Sequence, residues 1–453
     1  MSPTGPLPGF RDFYPGECAE RTHIFRAWRA VAARYAFVEY DGPPLETLDL
    51  YTKKSGAEIV GQLYNFADKG GREVAMRPEM TPTFARMVAA RANALRKPLR
   101  WFSIPQLFRY ERAQKGRLRE HYQLNVDIVG EAGEVADAEL LAVAIDMLAE
   151  LGLTAADARA RVSDRRLLAA ALAALGLNEP QQGTAYAVID KFERQPREVS
   201  AEKLAAAGLD ATIIERVFAL IACTDIDAFV ASAGGGDAVE QAARPLRTAV
   251  SHLEALGVGA WIDFDPMIVR GLAYYTGIVF EIFDAKGEFR AICGGGRYDD
   301  LLNSLGGVDL PALGFGMGDV VLGELLCARG LMPSGEAMRD TQFIVGGPGA
   351  AARPYADALR LARVLRTQGV AVDHALSAEK YSTQALRNQM DAAKKAGASG
   401  VIFFDENDQL TAISLMGKMS EAARWSGPAA AVLAGGNELH ELRQWLIATA
   451  PTS

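Results

Sequence analysis

Arginines, carboxylates and small polar residues crowd most densely into residues 101–130, WFSIPQLFRYERAQKGRLREHYQLNVDIVG. From Tyr122 to Ile128 apolar and polar residues alternate strictly. A strand of period two therefore puts Tyr122, Leu124, Val126 and Ile128 on one face and Gln123, Asn125 and Asp127 on the other. The first face reads as core and the second as a polar floor. Gln123 and Asp127 lie about 13 Å apart along such a floor, far enough to address opposite ends of one small molecule. Just upstream, Arg109, Arg112, Lys115, Arg117 and Arg119 form a segment too cationic to bury, and guanidinium forks suit phosphate. A polyanion over this hairpin is the chemistry these residues point to.

Three further places carry chemically useful side chains. Glu79 and Thr81, between Pro78 and Pro82, open a helix, and taken alone Glu79 is a cap or first-turn charge. Arg270, Gly271, Tyr274 and Tyr275 precede an alternating stretch that runs to Phe283. Gly294 to Gly296 allow close backbone approach to a ligand before Arg297 and Tyr298 enter a helix. Asp127 alone also reads as a strand-end carboxylate satisfied by Arg109 or a backbone amide. The run GFGMG at 314–318 lacks the third glycine and the acid about 20 positions on that a dinucleotide loop needs.

These groups need a scaffold. After a Pro- and Gly-rich start at 3–16, residues 17–35 have helical spacing through Ile24, Trp28 and Val31, followed by a short strand at 37–40 and the Pro43-Pro44 turn. Residues 64–68 and 73–76 flank a Lys-Gly-Gly-Arg turn and read as a hairpin. The spacing predicts a strand over 101–110 that pairs with 122–128. A helix over 134–151 stops at Gly152, a strand follows at 160–163, and residues 165–245 are Ala- and Leu-rich and helical. Residues 310–318 read as a strand running into a helix at 319–329. From Pro333 the strand-like TQFIV, VAVDH, VIFF and LTAISL alternate with helices, which predicts a separate α/β domain with parallel-sheet logic.

Length and composition set the bounds. The chain has 453 residues, room for about three domains of ~150 residues each. Its 49% hydrophobic and 23% charged content is that of a soluble globular protein, and no apolar run approaches the ~20 residues of a membrane helix. The opening MSPTGPLPGF lacks a signal-peptide pattern, so a cytoplasmic protein is expected. Four cysteines form no CxxC pair and five histidines lack zinc-site spacing, so neither disulfides nor a metal site is expected. A net charge of -8 excludes nucleic-acid binding by bulk attraction and leaves recognition through local basic loops.

A family resemblance ties these pieces together. FRYERAQKGRLREHYQLNVD resembles motif 2 of the class II aminoacyl-tRNA synthetases, and Arg-Ala-Gln-Lys-Gly-Arg followed by His-Tyr-Gln resembles its histidyl-tRNA synthetase form. The early helix, strand and Pro order resembles motif 1, a dimer interface in that class. MRPEMT is similar to the family's Arg-Pro-Glu-Gly-Thr, with Met80 where glycine is usual. RGLAYYTG resembles a histidyl-specific signature, with Ala273 where aspartate is usual, and CGGGRYDDLL resembles a second one. LPALGFGMG resembles motif 3, whose usual Glu-Arg is replaced by Val320 and Val321. The C-terminal part resembles the anticodon-binding domain of histidyl, prolyl, threonyl and glycyl enzymes.

The resemblance implies an α+β catalytic domain on a class II antiparallel sheet over 1–330, with a helical insertion at about 165–245, and an α/β anticodon-binding domain over 335–453. The insertion reads either as plain scaffold or as an arm around the tRNA acceptor. The implied activity is a histidine–tRNA ligase: histidine and ATP give histidyl-adenylate and pyrophosphate, then histidine passes to tRNA(His). Arg109 and Arg270 would be the catalytic cations. Glu79, Thr81, Arg109, Gln123, Asp127, Arg270, Tyr274 and Tyr275 would bind histidine, Arg109, Glu111 and Arg117 would bind ATP, and Arg112 and Gln114 would meet the tRNA acceptor end. A homodimer using ATP with Mg2+ and no zinc is implied. The alternative is a non-catalytic regulatory paralogue, such as the regulatory subunit of an ATP phosphoribosyltransferase, which Val320, Val321 and Ala273 favour.

Overall fold

Alternation along the polar and apolar residues of 120–129 produces the strand on which the rest of the main sheet is built. A computed structural model describes residues 5–55, 61–111, 116–269, 275–333, 341–346, 354–383, 386–405, 407–416 and 423–450. The chain forms two compact units, one of residues 1–14 and 20–332 and the other of residues 15–19 and 333–453.

The first unit begins with α1 (Pro15–Arg34), β1 (Val38–Glu39), β2 (Leu45–Thr47) and α2 (Leu48–Ser55). The hairpin of β3 (Asn65–Ala67) and β4 (Glu73–Met76) then delivers the chain into α3 (Thr81–Arg91). β5 (Leu99–Ser103), β6 (Gln106–Phe108) and β7 (Glu120–Val129) follow, then α4 (Glu134–Glu150) and β8 (Ala158–Asp164). Helices α5 (Arg165–Ala174), α6 (Glu179–Ile189), α7 (Arg197–Ala206), α8 (Ala211–Ile221), α9 (Ile226–Ser232) and α10 (Asp237–Ala255) come next. The unit closes with β9 (Ile262–Phe264), β10 (Ile278–Asp284), β11 (Cys293–Arg297), α11 (Leu301–Gly306), β12 (Ala312–Gly318) and α12 (Asp319–Ala328).

Among the described residues the main sheet runs in the order β1-β5-β7-β12-β11-β10-β8-β9, with β6 also paired to β7. Its interior pairs are antiparallel and its two edge pairs, β1 with β5 and β8 with β9, are parallel. The single partner strand expected over 101–110 is split in two. Register nonetheless runs through the gap, with Ser103 opposite Asn125 and Gln106 opposite Tyr122. The interruption is chemical, because Pro105 has no N–H to give, although its carbonyl accepts from Gln123 N at 3.1 Å.

The two faces of this sheet differ. Leu124, Val126 and Ile128 of β7 join Leu313, Phe315 and Met317 of β12 in one buried core with α4, Trp28 and Val31 of α1, and Leu322 and Leu325 of α12. Each such side chain contributes about 1.5–3 kcal/mol on burial. α10 packs on both α4 and α5. On the other face, α3 and α11 cover only one end, where Phe84, Val88, Leu301 and Leu302 meet Leu99, Val129 and Ala312. Beyond that end no helix among the described residues packs on the polar side of β7.

The second unit holds β13 (Gln342–Ile344), α13 (Tyr355–Thr367), β14 (Val372–His374), α14 (Ala378–Thr383), α15 (Leu386–Lys395), β15 (Gly400–Phe404), β16 (Gln409–Ser414), β17 (Arg424–Pro428), α16 (Ala429–Leu433) and α17 (Asn437–Ala448). Its sheet, β14-β13-β15-β16-β17, is mixed: parallel over its first three strands and antiparallel over β16 and β17, a correction to the parallel-sheet expectation. Two apolar clusters, one with α13, α16 and α17 and one with α15, sandwich it. No helix among the described residues is long and apolar enough to cross a membrane.

Candidate active site

The open part of the sheet is floored by side chains on β7 and by missing side chains on its neighbours. Asp127 stands opposite Gly314, Asn125 opposite Gly316 and Gln123 opposite Gly318, and in turn Gly316 faces Gly294 and Gly314 faces Gly296. A Cβ on Gly314 would lie 2.3 Å from Asp127 Oδ1 and 2.6 Å from the Tyr298 hydroxyl, and one on Gly316 would lie 2.8 Å from Gln123 Nε2. GFGMG is therefore spaced as a strand whose Phe315 and Met317 face the core while its glycines clear the floor.

A cavity of about 250 Å3 stands on this floor, lined by Glu79, Thr81, Arg109, His121, Gln123, Asn125, Asp127, Tyr275 and Tyr298 among others. Its entrance loop is tightly held. Arg77 is buried and donates to Asp41 Oδ1 at 2.7 Å, to the Gly42 carbonyl at 2.7 Å and to the Gln106 carbonyl at 3.0 Å. Phe108 N donates to Arg77 O at 2.9 Å, and Arg109 Nε donates to Pro78 O at 3.0 Å. These bonds fix Glu79 and Thr81 against the end of β6. Met80 takes φ -93° and ψ -25°, and its side chain is fully buried. An ordinary helical conformation needs no glycine, so the change to methionine leaves the polar residues on either side where they are.

At the inner end, Tyr298 donates its hydroxyl to Asp127 Oδ1, and the Tyr275 and Tyr298 rings meet edge to face with centroids 6.4 Å apart. Burial pushes the Asp127 carboxyl up to about 7, the bond from Tyr298 opposing the shift. The alternative that Asp127 is satisfied by Arg109 does not hold, since the partner is a tyrosine. Arg297, expected with Tyr298 at a helix start, instead ends β11 and faces the core, where it pairs with Asp137 of α4 at 2.5 Å. Tyr298 is the site residue of that pair.

A second cavity of about 140 Å3 is lined by Arg109, Glu111, Gly116, Arg117, Leu118, His121, Gly318, Val320 and Val321. Arg109, His121, Gly318 and Val321 line both, so the cavities meet there. Arg117 and Glu111 form an ion pair through Glu111 Oε2, while Oε1 is buried without a hydrogen-bond partner. Burial first, and then Arg109, Arg11 and Arg117, lower the His121 pKa to about 3, so its imidazole is neutral. Behind this wall Arg11 bridges Glu120 at 2.6 Å and Asp319 at 2.9 Å, and Tyr122 N donates to Asp319 Oδ1 at 2.9 Å.

Of the residues singled out from sequence, Glu79, Thr81, Arg109, Gln123, Asp127 and Tyr275 surround the first cavity, and Arg109, Glu111 and Arg117 the second. Arg112, Gln114, Arg270 and Tyr274 lie outside the described residues. His121 and Tyr298 were missed. His121 continues the alternation of Gln123, Asn125 and Asp127 by one step, a signal that period two already contained. Chemically, the pair of cavities can hold a small zwitterion beside a phosphorylated molecule with one guanidinium, Arg109, between them. Among the described residues no group of three His, Cys, Asp or Glu could hold a metal.

Comparison with known proteins bears on this geometry. The family profile described as histidyl-tRNA synthetase matches residues 9–318. A histidine–tRNA ligase of Opitutus terrae is 46% identical over 381 residues, 83% of this chain and 86% of that one. One of Halobacterium salinarum is 41% identical over 426 residues, 94% and 96% of the two chains. In fold, the crystal structure of histidyl-tRNA synthetase from Nostoc sp. PCC 7120 superposes with a TM-score of 0.80 at 19% identity, over 96% of this chain and 99% of that one.

Proposed function

Because the chain belongs to the histidyl-tRNA synthetase family, we propose a division of labour between its two cavities in the ligase reaction. The activity is that of a histidine–tRNA ligase, an aminoacyl-tRNA synthetase that uses ATP. In our reading histidine occupies the first cavity. Glu79, Thr81 and Gln123 accept from or orient its α-ammonium, and Asp127 and Tyr275 take the two ring nitrogens, with Tyr298 holding the Asp127 carboxylate in place. Such a site discriminates strongly, since an amino acid lacking the ring nitrogens leaves buried polar groups unpaired.

ATP occupies the second cavity. Glu111 addresses the adenine edge, an assignment supported by its unpartnered Oε1, and Arg117 the outer phosphates. Since these two side chains are paired with each other, the base and the end of the triphosphate come close together and the nucleotide bends. Arg109 lies where the cavities meet and grips both the histidine carboxylate and the α-phosphate. The carboxylate oxygen attacks phosphorus, the bond to the bridging oxygen breaks and pyrophosphate leaves. No enzyme nucleophile takes part, and the protein contributes position and fixed charge. Arg270 supplies the second cation and Tyr274 a further histidine contact. In the second step a terminal hydroxyl of tRNA(His) attacks the activated carbonyl and AMP leaves, with Arg112 and Gln114 at the acceptor end.

Glu324, whose Oε2 lies beside Gly116 at the second cavity, would suit a magnesium ion held mainly by the phosphates and its own waters. Such an ion neutralises outer-phosphate charge, and no zinc is assigned. We also assign residues 1–330 to the catalytic domain, 335–453 to anticodon binding, and the working form to a cytoplasmic homodimer.

The observation that carries this reading is that Arg109 lines both cavities. ATP–pyrophosphate exchange with each amino acid in turn tests it. Exchange that depends on histidine is expected, and histidine or tRNA binding with no exchange would leave the regulatory paralogue.

A further inference from the structure

ATP brings about four negative charges, most of them at the outer phosphates, into a cavity whose described lining offers two cations. Arg109 is committed to the junction and Arg117 already shares its charge with Glu111. The neighbouring wall is apolar, formed by Val320 and Val321. Even with a magnesium ion offsetting two of these charges, the outer phosphates meet only the shared Arg117 among the described lining residues, so more cationic charge is needed near it.

Arg290 stands next to that place. Its Cδ lies 3.9 Å from where a Cβ on Gly116 would sit, beside Val321 Cγ2 at 3.5 Å and Glu324 Oε2 at 4.0 Å. Gly116 immediately precedes Arg117 and lines the second cavity, while Ala291 and Ile292, which follow Arg290, line the first. Arg290 is solvent-exposed, as a cation that meets an incoming ligand must be. The β10–β11 connection that carries it is pinned at its base. Asp284 accepts from Glu288 N at 2.8 Å and pairs with Arg329 at 2.5 Å, and Ile292 N donates to Ile282 O at 2.8 Å. A long side chain on a fixed hairpin can reach over Gly116 with its Cα held.

We propose that Arg290 binds the terminal phosphate of ATP from the side opposite Arg117, supplying the positive charge that Val320 and Val321 cannot. This rests on the assignment of ATP to the second cavity. It predicts a cation that distinguishes ATP from AMP, because AMP ends at the α-phosphate held by Arg109.

Titration calorimetry of ATP and of AMP against the full-length protein, wild type, Arg290→Ala and Arg290→Lys, tests the inference. ATP affinity should fall about tenfold or more in Arg290→Ala, recover in part in Arg290→Lys, and AMP affinity should stay within about twofold. In exchange assays the ATP KM should rise while the histidine KM holds. Equal loss of ATP and AMP, no loss of either, or a change confined to the tRNA KM would each overturn it. Absence of histidine-dependent exchange in the wild type would count against the ligase assignment instead, and the ATP-against-AMP comparison would still decide the role of Arg290.

Discussion

The Tyr298 hydroxyl donates to Asp127 Oδ1 at the inner end of the first cavity, joining residues 171 positions apart. With its carboxyl pushed to about 7 by burial, Asp127 binds a proton in the folded chain over a range where the unfolded chain has lost it. Folded stability therefore falls as pH rises from about 4 to about 7 and levels off above that. Asp127→Asn removes this term. Thermal unfolding should show the variant gaining on the wild type between pH 5 and pH 8, and a stability difference that stays constant or moves in the wild type's favour over that interval would exclude a raised Asp127 pKa.

In its proposed role the same carboxylate must be ionised to accept from the imidazole N–H. The histidine KM of the wild type should fall from pH 6 to pH 8 more steeply than that of Asp127→Asn. At pH 8 Asp127→Asn should bind histidine about 10–100-fold more weakly, the worth of a hydrogen bond to a charged group, with the ATP KM unmoved. Tyr275→Phe should act in the same direction. Unchanged histidine affinity in both variants would remove them from the ring-binding role.

Arg117→Ala should raise the ATP KM by about tenfold or more, because it removes one cation from the outer phosphates. The histidine KM should hold. Steady-state exchange kinetics read both constants, and an ATP KM within twofold of wild type would take Arg117 off the triphosphate.

Gly314→Ala and Gly316→Ala separate floor space from floor chemistry. The first puts a methyl 2.3 Å from Asp127 Oδ1 and 2.8 Å from the Val126 carbonyl, which is backbone and cannot step aside. It should cost about 1–3 kcal/mol of stability and most of the activity. For the second, the three nearest atoms all belong to the far end of Gln123, the closest at 2.8 Å. It should leave the fold intact and raise the histidine KM. Denaturant titration beside kinetics distinguishes the two.

Arg297→Met leaves Asp137 buried without its cation, a change that costs about 3–5 kcal/mol. Burial already raises the Asp137 carboxyl to about 6 against the pull of Arg297. Losing that pull raises it further, so the variant should regain part of its stability as pH falls from 8 to 5. Thermal unfolding across that range checks it, and the folded fraction should keep its histidine KM.

Much of the site was legible from spacing. The alternation of Gln123, Asn125 and Asp127 told which face of β7 is polar, and two residues of the cation-rich run, Arg109 and Arg117, do line the second cavity. What escaped depends on which strands pair. Nothing local says that Gly314 lies against Asp127, because their adjacency is set by the pairing of β12 with β7 across almost 190 residues of chain. The direction of Arg297 escaped for the same reason, its partner Asp137 being 160 residues away. Pro105 was visible, but reading one strand over 101–110 overlooked its missing N–H. Met80, where the family usually has glycine, takes helical dihedrals open to any residue, which only the structure could show.

A pocket whose depth comes from residues with no side chain has no reserve. Nothing smaller than hydrogen can replace Gly314 or Gly316, so substitution there only makes the chamber shallower. On the proposed placement of histidine, variants made to accept bulkier ring analogues will have to gain their room from the walls at Tyr275 and Tyr298, where each ångström of width is taken from Tyr275 itself or from the hydroxyl that holds Asp127.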